Sequence, residues 1–282
     1  MIDLQSEINR NVQSALREDL GEIGDLTASL VPENKQLRAE VITREDAVLC
    51  GTQWFDACFL ALSPEIEINW FACDGDRICS NDKLCEIKGN ARAILTAERS
   101  ALNFLQLLSA VATQTQRFVD AIDGTAAKIV DTRKTFPGLR IAQKYAVKCG
   151  GGINHRLGLY DGILIKENHI IAAGGIAAVV KKAQIIASST AFVQIEVETL
   201  EELELALNAG AKMILLDNFT LEQTKQAVSL ARHYKQIVLE ASGNVTLQTV
   251  RQLAETGVDR ISIGALTKNI RAVDLSLRLY SY

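Results

Sequence analysis

Six short aliphatic runs, each stopped by a polar or small residue, constrain this chain more than any other feature. They are AKIVD (127–131), GILIK (162–166), FVQIE (192–196), MILLD (213–217), IVLEAS (237–242) and RISIG (260–264). Runs of this length and β-branched content read as buried strands. Helical patterns fall between them at Leu200 to Ala209, Leu221 to His233 and Leu247 to Glu255, with Gly210 and Gly257 as stops. The last three strands follow one another at 20 to 24 residues. That interval fits βα repeats and a parallel, barrel-like sheet, and is too long for hairpins.

The first hundred residues have another texture. Leu4, Ile8, Val12, Leu16 and Leu20 mark a helix that ends at Gly21 to Gly24. Leu37, Ala39 and Val41, then Ile66, Ile68 and Trp70, alternate as strands around a short helix at Trp54 to Leu62. A long helix from about Thr96 to Ile122 stops at Asp123-Gly124. A smaller α+β unit therefore precedes the barrel.

Composition excludes several classes. The 282 residues carry 30 Lys and Arg against 34 Asp and Glu, a net charge of −4, which is not the footprint of a surface built for nucleic acid. The N-terminal residues lack the apolar stretch of a secretory signal. Phe104 to Ala112 and Ile170 to Val180 fall well short of the ~20 apolar residues that span a bilayer. A cytoplasmic protein without membrane or nucleic-acid partners is expected. Cysteines at 50, 58, 73, 79, 85 and 149 form no CxxC pair and have no suitably spaced histidine, so they read as thiols of a reducing compartment. The even spacing of Cys73, Cys79 and Cys85 offers only three soft ligands.

The chemistry concentrates where the strands stop, the end at which barrel enzymes place their sites. From Asp131 to Ile170 seven basic residues face three acidic ones, and the window holds His155, His169 and the run Gly150-Gly151-Gly152. Lys144 and Lys148, four apart, equally fit a solvated helix face. Arg133 and Arg156 follow a strand end and a glycine-rich turn, and guanidinium groups pair bidentately with carboxylates and phosphates. A compact polyanion is the implied ligand. Glu196 and Asp217, ending consecutive strands, supply hard oxygens suited to Mg²⁺. Ser242-Gly243-Asn244 and Ile263-Gly264-Ala265 are small enough to let backbone N–H groups cradle a phosphate.

These segments carry a resemblance. AERSALN (97–103), DTRKTFPGLR (131–140), KYAVKCGGGINHRLGLYDGILIKENHI (144–170), EVETLEEL (196–203), ILLDNF (214–219), LEASGNV (239–245) and SIGALTKN (262–269) resemble the quinolinate phosphoribosyltransferase family over nearly the whole chain. The resemblance implies an N-terminal α/β sandwich at 1–110, joined by 268–282, and an open α/β barrel of six or seven parallel strands at 111–267. It implies transfer of phosphoribose from phosphoribosyl diphosphate to quinolinate with loss of CO₂, giving nicotinate mononucleotide and diphosphate. Arg133, His155 and Arg156 would hold the dicarboxylate, with Thr132 beside them and Arg99 arriving from a partner subunit of a homodimer or higher homo-oligomer. Lys134 and Lys166 would lie between the substrates. Glu196 and Asp217 would bind ribose hydroxyls and Mg²⁺, and Ser242, Gly243, Asn244, Ile263, Gly264 and Ala265 the phosphate. Phe136 replaces a threonine usual in the family, which bears on packing of that loop.

The residues alone leave other readings open. Lys166 could form a Schiff base in an aldolase-like barrel. The scaffold could be a phosphosugar-binding sensor, or a paralogue acting on another acid.

Overall fold

The computed structural model describes residues 3–187 and 191–280. The outermost two residues at each end of the expected N-terminal domain lie outside this range. The elements are α1 (Leu4–Leu20), β1 (Gln36–Thr43), β2 (Ala47–Val48), α2 (Thr52–Leu62), β3 (Glu67–Trp70), β4 (Arg77–Ile78), β5 (Lys83–Asn90) and α3 (Ala91–Ala121). There follow β6 (Lys128–Val130), α4 (Arg140–Cys149), β7 (Gly162–Ile165), α5 (Glu167–Ala172), α6 (Ile176–Ile186), β8 (Phe192–Val197), α7 (Leu200–Asn208) and β9 (Met213–Asp217). The last are α8 (Leu221–Ala231), β10 (Val238–Ser242), α9 (Val250–Ala254), β11 (Arg260–Ser262), α10 (Ala265–Lys268) and β12 (Leu275–Tyr280).

Two compact units result. The first joins residues up to Gln116, Thr135–Gly151 and the chain from Thr267 onward. Its antiparallel sheet runs β12-β1-β5-β3, with β1 paired to β12 from Arg38↔Tyr280 to Thr43↔Leu275. The helix α1 begins where Asp3 accepts the N–H groups of Gln5 and Ser6, and it ends at left-handed Gly21. Its apolar stripe, Ile8 and Val12, packs in one core with Trp54, Phe55 and Phe59 of α2, Ile87 of β5 and Leu105 and Leu108 of α3. Trp54 places its indole N–H 3.0 Å from Asn11 Oδ1, so the largest core side chain also satisfies a buried amide.

Residues 135–151 were expected in the barrel and instead belong to this first unit. The reason is hydrophobic: Ala142, Ala146 and Val147 of α4 are fully buried in the first core. Gln143 fixes the segment's start by accepting the Phe136 N–H at 2.8 Å and donating to Thr267 O at 2.8 Å. The bond uses the Phe136 backbone, and the Phe136 side chain stays partly exposed. The same packing buries Lys144, so the solvated face expected for Lys144 and Lys148 holds for Lys148 alone.

The second unit holds Arg117–Lys134 and Gly152–Leu266. All six expected strands are present, in a parallel sheet ordered β6-β11-β10-β9-β8-β7. The strands wrap in sequence while β6 and β7 remain the two ends, which makes an open barrel; beyond its paired edge, β6 has one parallel bridge, Val130 to Ile153. Strand side chains alternate between faces. Ile195, Val197, Ile214, Leu216, Leu239, Ala241 and Ile261 are buried in one cluster with Val180, Leu203, Ala227 and Val250 of the flanking helices. The intervening positions, Gln194, Glu196, Leu215, Asp217, Glu240 and Ser242, therefore face the opposite way. Among the described residues no helix is long and apolar enough to cross a membrane.

Replacing fully buried Trp54 with alanine should lower unfolding free energy by about 3 to 5 kcal/mol in urea titration. A loss under about 1 kcal/mol would contradict the packing described.

Candidate active site

The polar positions of the barrel strands converge on a cavity of about 240 Å³. Eight of the residues singled out in the sequence line it: Thr132, Arg133, Lys134, His155, Arg156, Lys166, Glu196 and Ser242. The cationic half is built from backbone outward. Buried Asp131, directly after β6, accepts the His155 N–H at 2.8 Å and the Asn154 amide at 2.6 Å. His155 Nδ1 in turn accepts the Arg156 N–H at 2.8 Å. That contact requires the proton of a neutral imidazole on Nε2, which lies 2.7 Å from Gln194 Oε1. His155 is thus engaged at both ring nitrogens, as a wall of the cavity and an anchor for the next residue.

Arg156 donates through Nη1 to Gly162 O at 3.0 Å. Burial and then the charge of Arg133 lower the Arg156 pKa, partly offset by Asp161. The two guanidinium groups are therefore close enough to repel in one pocket. Arg133 Nε is buried without a hydrogen-bond partner. An unpaired buried donor beside a second cation is the arrangement an anionic ligand completes.

The opposing half is acidic. Lys166 Nζ lies 2.8 and 3.1 Å from the two Glu196 oxygens. Burial and then the charge of Glu196 raise the Asp217 carboxyl above its ordinary range, against the pull of Lys166 and Lys134. Glu198, fully exposed, is raised first by Glu167. Carboxylates crowd here, and their repulsion fits a hard divalent cation. After β9 and β10 the chain turns through left-handed Asn218, Gly243 and Asn244. A Cβ on Gly243, at φ 110°, would collide with the Asn218 side chain and come within 3.0 Å of Asn218 Cα. Only glycine lets these two turns nest. Gly264 is where the Lys134 side chain passes, 2.9 Å from a would-be Cβ.

Asp217, Gly243, Asn244, Ile263, Gly264 and Ala265 stand at the strand ends without lining this cavity. Arg99 lies on α3 and lines a separate cavity of the first unit with Glu18, Asp19, Ser100 and Asn103. Sequence reading missed two residues beneath the site. Gln194 Nε2 donates to Glu240 Oε2 at 3.2 Å, and both side chains are fully buried. Glu240 Oε1 has no hydrogen-bond partner, and His155 Nε2 is 3.8 Å away. The available signal was alternation: Gln194 and Glu240 each lie two residues before a strand-end polar residue, on the same face.

A cationic cleft opposite paired carboxylates, at the end of an open parallel barrel, defines an enzyme that handles small phosphorylated or carboxylated substrates. The models of the quinolinate phosphoribosyl transferase N-terminal and C-terminal domains match residues 25–109 and 111–278. The chain belongs to the quinolinate phosphoribosyl transferase family. It is 39% identical over 260 residues to a probable carboxylating nicotinate-nucleotide pyrophosphorylase of Bacillus subtilis, covering 92% of this chain and 89% of the relative. It is 39% identical to the chloroplastic carboxylating enzyme of Arabidopsis thaliana, covering 95% and 81%. Among solved structures, the nicotinate-nucleotide pyrophosphorylase of Francisella tularensis matches at 46% identity and TM-score 0.94, over 99% and 98% of the two chains. This membership, with Lys166 held by Glu196, displaces the Schiff-base aldolase reading.

Replacing Glu196 with glutamine removes the charge that raises Asp217. The Asp217 pKa should fall in a carboxyl NMR titration; an unchanged or higher value would contradict the coupling.

Proposed function

We propose that this chain transfers the phosphoribosyl group of phosphoribosyl diphosphate to the ring nitrogen of quinolinate and releases diphosphate, CO₂ and nicotinate mononucleotide. The observation that carries the reading is the buried, unpartnered Arg133 Nε beside Arg156, a clamp for a dianion within a family named for quinolinate. Displacing diphosphate develops positive charge at the anomeric carbon, so catalysis consists of aiming the nitrogen and neutralising the leaving group. Arg133 and Arg156 hold the two carboxylates, each charge-assisted bond contributing roughly 1.5 to 3 kcal/mol. His155 positions Arg156. Lys134 and Lys166 take charge between the substrates, and no covalent nucleophile is needed. The pyridinium formed then accepts the electrons left when the adjacent carboxylate departs as CO₂.

Glu196 and Asp217 hold the ribose hydroxyls and are the residues that would hold Mg²⁺. Bound there, such an ion would supply charge neutralisation for the departing diphosphate. Ser242 to Asn244 and Ile263 to Ala265 present small side chains and backbone N–H groups to phosphate. A homodimer in which Arg99 serves the neighbouring subunit, working in the cytoplasm, completes the reading.

Purified protein given Mg²⁺, phosphoribosyl diphosphate and quinolinate should form nicotinate mononucleotide; no product at high enzyme concentration, or turnover only of a different acid, would overturn the assignment. Arg99→Ala and Lys166→Ala, each inactive alone, should regain activity as mixed dimers. Verified heterodimers that stay inactive would place Arg99 in its own subunit's site.

A further inference from the structure

We infer that Cys50, Asp74 and Cys149 form a binding site for a thiophilic divalent cation of the Zn²⁺ type, within the first unit and independent of the proposed activity. Cys50 precedes α2, Asp74 sits in the turn between β3 and β4, and Cys149 is the last residue of α4. Their ligand atoms all lie within 4.8 Å of one another. A tetrahedral zinc with Zn–S bonds of about 2.3 Å and a Zn–O bond of about 2.0 Å spaces two sulfurs by about 3.8 Å and a sulfur and an oxygen by about 3.5 Å, so closing the site needs movement of about 1.3 Å at most. Two sulfurs and one carboxylate oxygen suit Zn²⁺ and leave the fourth position to solvent.

The ligands are held in place from outside. Ser109 Oγ clamps the Cys50 backbone, accepting its N–H at 2.9 Å and donating to its carbonyl at 3.1 Å. Asp74 Oδ1 accepts the N–H groups of Gly51 and Thr52 at 3.0 and 3.1 Å, and Oδ2 accepts the Tyr145 hydroxyl at 2.8 Å. A carboxylate so anchored retains lone pairs for a metal, and such supporting bonds are what orient metal ligands. Cys50 is fully buried, whereas Asp74 and Cys149 are half-buried and give an ion its route in. Coordination exchanges the two thiol protons, released to solvent, for two metal–sulfur bonds. The bound ion ties three distant segments together.

Protein stripped by chelator and reduced with a phosphine should take up one equivalent of Co²⁺ with thiolate-to-cobalt charge-transfer absorption, which Zn²⁺ then abolishes. Zn²⁺ should also raise Tm by mass action. Cys149→Ser, at a half-buried helix end, should weaken binding at least about 100-fold, beyond the usual loss for supporting residues. Asp74→Asn should weaken it less. The Cys73→Ser/Cys79→Ser double variant, altering two exposed thiols, should bind as the parent does. Folded parent protein without the absorption, equal absorption in folded Cys149→Ser, its loss in the double variant, or a Cys50–Cys149 disulfide formed in place of metal uptake would each overturn the site.

Discussion

Two like charges in one half-buried pocket are the constraint around which the catalytic unit is arranged. Arg133 and Arg156 repel each other, the Asp161 charge offsets this only in part, and among the described residues neither is shown donating a hydrogen bond to a carboxylate. Arg156 rests on a carbonyl, Gly162 O, and is aimed through its own N–H by His155. Asp131 accepts the His155 N–H and the Asn154 amide. The acid thus fixes the geometry of the turn while the guanidinium charge stays available. A cation held this way costs stability in the free protein and returns it when an anion arrives, the trade usual at active sites.

The acidic half follows the inverse logic. Lys166 takes up one carboxylate, Glu196, and leaves Asp217 raised. Beyond the Lys166–Glu196 pair, the mouth of the barrel therefore carries separate charges of both signs, Arg133 and Arg156 against Asp217. Charges so separated attract a bipolar guest, one with phosphates or carboxylates at one end and a metal or hydroxyls at the other. The net −4 of the whole chain conceals this division, since it sums over both halves.

The strands of the barrel were legible because each is a short apolar run between breakers, and MILLD coincides with β9 residue for residue. Six of the eight cavity residues were legible for a related reason: Thr132, Arg133, Lys134, Lys166, Glu196 and Ser242 stand at or just past strand ends, where a polar residue interrupts an obvious pattern, while His155 and Arg156 follow a glycine run. Gln194 and Glu240 were hidden inside strands, where alternation with the strand-end polar residue is the one mark a polar residue among aliphatics carries. The placement of α4 was hidden too. Its apolar residues repeat at helical spacing whichever core they enter, and contact with Trp54 and its neighbours decides the matter. The meeting of Cys50 with Cys149 across 99 residues is equally invisible in a spacing rule built on local motifs.

The pairing of β1 with β12 has a consequence for how the chain is made. Arg38 and its partner Tyr280 are 242 residues apart. At the usual 5 to 20 residues per second, translation brings β12 out roughly 12 to 48 s after β1. During that interval one edge of β1 stands without its neighbour, an opening for pairing with another nascent chain. Arg38 and Glu40, on that strand, supply the charge that makes such an edge a poor template, so the residues that later face β12 also guard the wait for it.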